Sequence, residues 1–309
     1  MATVRITEGT MDFDVPSVGK RCQTWYKIYG DLADHSRTPT IILHGGPGYP
    51  HYYVEPIAQT LATRLSSSAV IYDQLGCGNS THLPDRNTKE DESFWTIHLF
   101  MDELNTLINH LGIQDGYNII GHSWGGILAT SFAVRKPAGL KSLVLISSPA
   151  HIGLFNSSLD RLVATLPATA RDVIGRHKHK RSDSPDYKEG HMAFVKKFLC
   201  RLDETPEVIA KTMKSVREDP TVAHVMLGPS DYEVTGVLEN HNVVDELHNI
   251  SVPTLITNGW YDKVQDVAVE PYFRHIQKVK WVQFAESAHF PWLEEEEKFY
   301  NVLSSFLHI

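Results

Sequence analysis

The stretch from Tyr117 to Ile127, YNIIGHSWGGI, constrains the fold of this chain more than any other. An apolar run of β-formers ends abruptly on a glycine, and a serine set among small residues follows. Gly121-His122-Ser123-Trp124-Gly125 fits the pattern G-x-S-x-G. The physical reading is a strand that turns into a helix so sharply that only glycines fit around the bend. Such a turn lifts a serine hydroxyl clear of a sheet. It also places the next backbone N–H, that of Trp124, at a helix N-terminus, where developing negative charge is favoured.

The rest of the chain supplies a sheet for that turn. TMDFDVP (10–16) and CQTWYKIYG (22–30) read as strands. TPTIILHGGPG (38–48), SSAVIYDQLGCG (67–78), LKSLVLISSPA (140–150), VPTLITNGWYD (252–262) and VKWVQFAESAHF (279–290) are short apolar runs, as expected of buried parallel strands. Between them, residues 93–112 have helical spacing, with Leu99, Leu104, Leu107, Ile108 and Leu111 as the expected apolar face and Gly112 as the stop. A second helix is expected through 126–137, and a last one through EEEEKFYNVLSSFLHI (294–309), whose acidic start suits the macrodipole. Strands alternating with helices imply an α/β fold, a mostly parallel sheet with helices on both faces. Residues 149–237 break the rhythm. They are polar, punctuated by prolines, and hold no apolar strand. The expectation is a core of residues 1–148 and 238–309 with an inserted helical cap over 149–237. The basic tract His177–Arg181 reads as part of a solvated loop.

A serine hydroxyl is a weak nucleophile and needs a base held in place by an acid. On a sheet of this type they follow in the order Ser…Asp…His. Asp262 lies just beyond one buried strand and His289 just beyond the next. Both then sit at the carboxyl edge of the sheet with Ser123, where open α/β sheets bind ligands. Asp266 competes with Asp262 but lies further past the strand end, where it starts a helix. His122 and His44 read as structural, and Cys77 as buried packing. HGGPG (44–48) follows a strand and exposes backbone N–H groups. Gly46 is the expected second oxyanion donor beside Trp124, with Gly45 as the alternative; one such donor contributes about 3 kcal/mol in the transition state.

Composition narrows the partners. The chain has 309 residues, 42% hydrophobic and 21% charged, and a net charge of −8, which disfavours nucleic acid and anionic membranes. Three cysteines give no disulfide framework. No secretory pattern opens the chain and no run approaches a membrane span, so a cytoplasmic, soluble protein is expected. The chemistry needs no metal or organic cofactor. The oligomeric state stays open between monomer and small homo-oligomer.

These residues together resemble the α/β-hydrolase family, and within it the proline iminopeptidase branch of serine aminopeptidases. HGGPG, VIYDQLGCGNS and GHSWGG carry the resemblance in the first half. In the second half DRLVATLPATARDVI, SPDYKEG, LGPSDYEVTG and VPTLITNGWYD resemble segments of an archaeal aminopeptidase and its relatives, L-amino-acid amidases among them. The resemblance implies the α/β-hydrolase fold, Ser123 as nucleophile, Asp262 as acid, His289 as base and a helical cap. It also implies cap carboxylates that hold a substrate's free amino group. Asp231, where relatives carry glutamate, takes that role, with Glu233 as an alternative and Glu189 as a second anchor. The shorter Asp231, the missing tryptophan in DETPE (203–207) and Leu75 count against proline as preferred first residue. The expected activity is cleavage of an amide or peptide bond next to a free amino end in a small or short-peptide substrate. An esterase or lactonase is the nearest alternative, and a non-catalytic ligand receptor a third.

Overall fold

The computed structural model describes residues 4–34 and 36–308. The strands β1 (Ile6–Phe13), β2 (Cys22–Tyr29), β3 (Thr40–Leu43), β4 (Ala69–Tyr72), β5 (Tyr117–His122), β6 (Leu140–Ile146), β7 (Thr254–Gly259) and β8 (Val279–Phe284) form a single sheet. Its order is β1-β2-β4-β3-β5-β6-β7-β8. β1 and β2 are antiparallel at one edge, and every pairing from β4 to β8 is parallel. This is the α/β-hydrolase fold. After β3 the chain moves to one side, to β4, and then returns to the other side, to β5. That reversal opens a crevice at the carboxyl ends of β3 and β5, where α/β sheets place their ligands.

Helices cover both faces. They are α1 (Glu55–Thr63), α2 (Ile97–His110), α3 (Trp124–Ala133), α4 (Ile152–Ala164), α5 (Ala168–Arg176), α6 (Pro185–Phe198), α7 (Glu207–Glu218), α8 (Thr221–Leu227), α9 (Asp266–His275), α10 (Pro291–Glu294) and α11 (Glu296–Leu307). The period-2 alternation of the strands divides the core. Ile41, Leu43 and Ile119 face one cluster, with side chains of α2, α3, α4 and α9. Ile42 and Ile120 face the other, with side chains of α1 and α11. Because both faces are buried, the central strands are continuous apolar runs.

The face of α2 is phased differently from the expectation. Its buried residues are Phe100, Glu103, Leu104, Leu107 and Ile108, while Leu99 and Leu111 are only half-buried. A glutamate can occupy the buried stripe because Thr24 and the Leu75 N–H both donate to its carboxyl. The glutamates near the C-terminus also serve a different purpose from the one expected. α11 starts at Glu296, and Glu294 and Glu295 instead clamp a loop described below. Between β6 and β7 lie five helices, α4 to α8, and no strand of the sheet. Among the described residues no helix is long and apolar enough to cross a membrane.

Candidate active site

Ser123 stands between β5 and α3 with φ 54° and ψ −118°, a strained backbone for a residue with a side chain. The glycines around it leave no choice. A Cβ on Gly121 would lie 2.3 Å from the Gly125 carbonyl oxygen, and one on Gly125 would lie 2.3 Å from the Leu43 carbonyl oxygen. The turn is therefore pinned against the end of β3, and the Trp124 N–H opens α3 beside Ser123.

His289 and Asp262 come together from the loops after β8 and β7. The His289 Nδ1–H donates to Asp262 Oδ1 at 2.7 Å, and the same oxygen accepts the Val264 N–H at 2.8 Å. Both side chains are buried. This bond sets the tautomer, leaving Nε2 as the basic nitrogen. Burial, helped by the nearby Lys263 ammonium, holds His289 well below the usual histidine range, so the imidazole is neutral at neutral pH. Burial pushes the Asp262 carboxyl up, to about 7, against its hydrogen bonds. Asp266 takes no part; its Oδ1 accepts from the amides of Asn258 and Gln283. The loop carrying His289 is clamped by Glu294, whose Oε2 accepts the N–H groups of Ala288 and Phe290, on either side of His289, at 3.0 Å each. Glu295 accepts from the Glu286 N–H and the Ser287 hydroxyl. In sequence these residues resemble an ordinary acidic helix start.

One hydrogen-bond chain ties these pieces to the glycine loop after β3. The Gly45 N–H donates to Tyr53 Oη at 2.5 Å, Tyr53 Oη–H donates to His122 Nδ1 at 2.9 Å, and His122 Nε2–H donates to the His289 carbonyl at 3.0 Å. His122 is thus structural. Gly45 has spent its N–H, whereas Gly46 lines the cavity beside Ser123 and Trp124. Behind the loop, His44 Nδ1–H donates to the Gly45 carbonyl and Nε2 accepts the Gln74 N–H. Trp124 Nε1–H donates to Gln74 Oε1 at 2.8 Å. His44, Asp73 and Cys77 place three metal-type donors close together. They are committed elsewhere: Asp73 accepts from His51 and the Asn79 N–H, and Cys77 Sγ–H donates to the Gln74 carbonyl.

Above Ser123 lies a cavity of two lobes, about 360 and 320 Å³. Ser123, Gly46, Asp231, Arg181 and Lys263 line both. Trp124 and the apolar side chains Ile152 and Phe155 line the first, and His289 lines the second. The expected cap carboxylates are placed unequally. Asp231 reaches the cavity, but its Oδ1 accepts Arg181 Nη2–H at 2.6 Å and its Oδ2 accepts the Tyr187 hydroxyl at 2.7 Å. Glu233 lines the first lobe and pairs with His179 at 2.6 Å. Glu189 is exposed on α6, outside the residues that line the cavity. Arg181 ends the basic tract read as a solvated loop; it stays largely exposed but pairs with Asp231 at the cavity. The signal for that pairing is spread over fifty residues of sequence, and periodicity cannot carry it.

Comparison with known proteins agrees with this geometry. The model of the α/β-hydrolase fold family matches residues 38–296. A proline iminopeptidase of Lactobacillus delbrueckii subsp. lactis is 31% identical over 287 residues, covering 92% of this chain and 94% of its own. The crystal structure of VinJ superposes with a TM-score of 0.90 at 37% identity, covering 98% of each chain. That of a proline iminopeptidase from Mycobacterium smegmatis gives 0.86 at 36% identity, covering 97% of this chain and 98% of the other. With its strand-to-helix serine turn and parallel sheet in place, this chain belongs to the α/β-hydrolase family, in its proline iminopeptidase branch.

Proposed function

We propose that the protein is a serine hydrolase that cleaves an amide or peptide bond next to a free amino end, as an aminopeptidase or amino-acid amidase, through an acyl-enzyme on Ser123. The observation that carries this reading is the meeting of the Ser123 turn and the His289–Asp262 pair at one cavity lobe. Neutral His289 takes the serine proton as the hydroxyl attacks, and Asp262 stabilises the imidazolium that forms. The N–H groups of Trp124 and Gly46 receive the oxyanion. His289 then gives its proton to the leaving nitrogen, and water, activated by the same imidazole, releases the acyl group. Helices α4 to α8 act as the cap, excluding bulk water from the reacting atoms. The names of the relatives support the amide form, and the Asp231 carboxylate at the cavity supports recognition of an amine.

Ester or lactone hydrolysis is a second reading, favoured by one observation. Asp231 is already bonded to Arg181 and Tyr187, so an incoming ammonium meets a carboxylate whose charge is in use. A panel of aminoacyl amides, their N-acetyl forms, simple esters and lactones, run on wild type and Ser123→Ala, tests both readings. Loss of amide cleavage on acetylation is expected for amine recognition, and indifference to acetylation transfers the case to the esterase. Turnover that survives Ser123→Ala contradicts both.

A further inference from the structure

Lys263 directly follows Asp262, and its backbone N–H donates to the Phe198 carbonyl at 2.9 Å, a tie that fixes the loop at the junction of the two lobes. Its side chain is half-buried. Among the described residues its ammonium makes neither an ion pair nor a hydrogen bond; it lies over the Phe155 ring, 6.0 Å from the centroid. Asp262 and Asp231 act on it only through space, and burial outweighs them, lowering its affinity for the proton. The other carboxylates around the cavity are occupied. Asp231 holds Arg181, Glu233 holds His179, and Asp183 holds Lys188 at 3.6 Å. Lys180, exposed on the first lobe, likewise has no carboxylate partner among the described residues. Lys263 and Lys180 are therefore ammonium groups at the cavity without carboxylate partners, and a partly desolvated ammonium gains most from a charged acceptor.

The chemistry says which part of the substrate meets it. His289 must reach the leaving atom to return its proton, so the leaving group occupies the second lobe, which His289 lines. The acyl part then extends into the first lobe, past Lys263 and towards Lys180. We propose that the substrate's acyl part carries a carboxylate that Lys263 receives at the junction of the two lobes. This inference rests on acyl transfer to Ser123 and holds whether the bond cleaved is an amide or an ester.

The test compares p-nitrophenyl esters of five- and six-carbon ω-carboxyacyl groups with the matching alkanoyl esters, with spontaneous hydrolysis subtracted. Wild type should favour a carboxyacyl ester by about 10- to 100-fold in kcat/KM, the value of one charge-assisted hydrogen bond. Lys263→Arg should keep the preference, and Lys263→Met should bring it close to one. Lys263→Glu should turn it towards ω-aminoacyl esters. Wild type without the preference, or Lys263→Met with it intact, overturns the inference. An uncharged fluorophosphonate separates the two levels. Labelling of Ser123 without a carboxyacyl preference removes this inference alone, whereas failure to label removes acyl transfer as well.

Discussion

On the floor of the cavity, a methyl group on Gly125 would collide with the backbone at Leu43. In the wall formed by helices α4 to α8, which lie between β6 and β7, Gly175 on α5 is exposed, and a methyl group there would meet nothing within 4 Å. The same contrast holds for charge. The sheet side buries Glu103, His122, Asp262 and His289 and holds each by hydrogen bonds to fixed partners. The wall pairs Arg181 with Asp231, His179 with Glu233 and Lys178 with Asp160, each pair with one member largely exposed. Chemistry that needs atoms held to a fraction of an ångström is placed where the backbone has no freedom. The part proposed to select a substrate lies where paired side chains remain partly exposed.

Alanine at the two glycines probes this contrast most strongly. Gly125→Ala should cost about 2–4 kcal/mol of stability and abolish turnover, because the clash is with backbone that cannot yield. Gly175→Ala should gain about 0.5–1 kcal/mol, by removing a flexible residue from a helix, with kcat/KM unchanged. Denaturant midpoints and rates on both variants check this; equal responses would erase the distinction.

The next effect is on pH-dependent stability. Burial pushes the Glu103 carboxyl up to about 8 in the folded protein, from about 4.5 when unfolded. The folded state then binds more protons at this group across that interval, so its contribution to stability is greatest below pH 4.5 and falls as pH rises towards 8, by up to about 1.4 kcal/mol per pH unit. Glu103→Gln should flatten that slope between pH 5 and 8 in chemical denaturation. A slope that stays unchanged would mean the carboxyl is ionised in the fold.

The smallest effect joins two neighbouring loops of the floor. The Lys263 ammonium adds to burial in holding His289 low. Lys263→Met should therefore raise the His289 pKa and move the acid limb of kcat/KM for an uncharged substrate to higher pH, by less than about one unit. A limb that stays in place, or moves to lower pH, would show that the two groups do not communicate.

The same contrast explains what could be read from the residues alone. Strands and their turns are written locally: the run from Tyr117 to Ile120 and the glycines after it specify β5 and its bend within a dozen positions. Loop ends such as Asp262 and His289 follow from strand ends. The phase of α2 does not, because a buried Glu103 depends on Thr24 and on the Leu75 amide, which are remote in sequence. Nor does the clamp by Glu294, since a carboxylate gripping two backbone amides leaves no periodic trace. The pairing of Arg181 with Asp231 fixes how the wall presents its charges, and it joins segments that pattern analysis treats as separate loops.

The central claim is that Ser123 is made reactive by His289. The direct measurement is the rate at which an uncharged fluorophosphonate modifies the protein, with the adduct located by peptide mass spectrometry, in wild type and in His289→Ala. One adduct per chain on the peptide carrying Ser123, with a rate that falls by about 100- to 10,000-fold without the imidazole, is the expected result. An adduct elsewhere, or a rate at Ser123 that does not depend on residue 289, would contradict it.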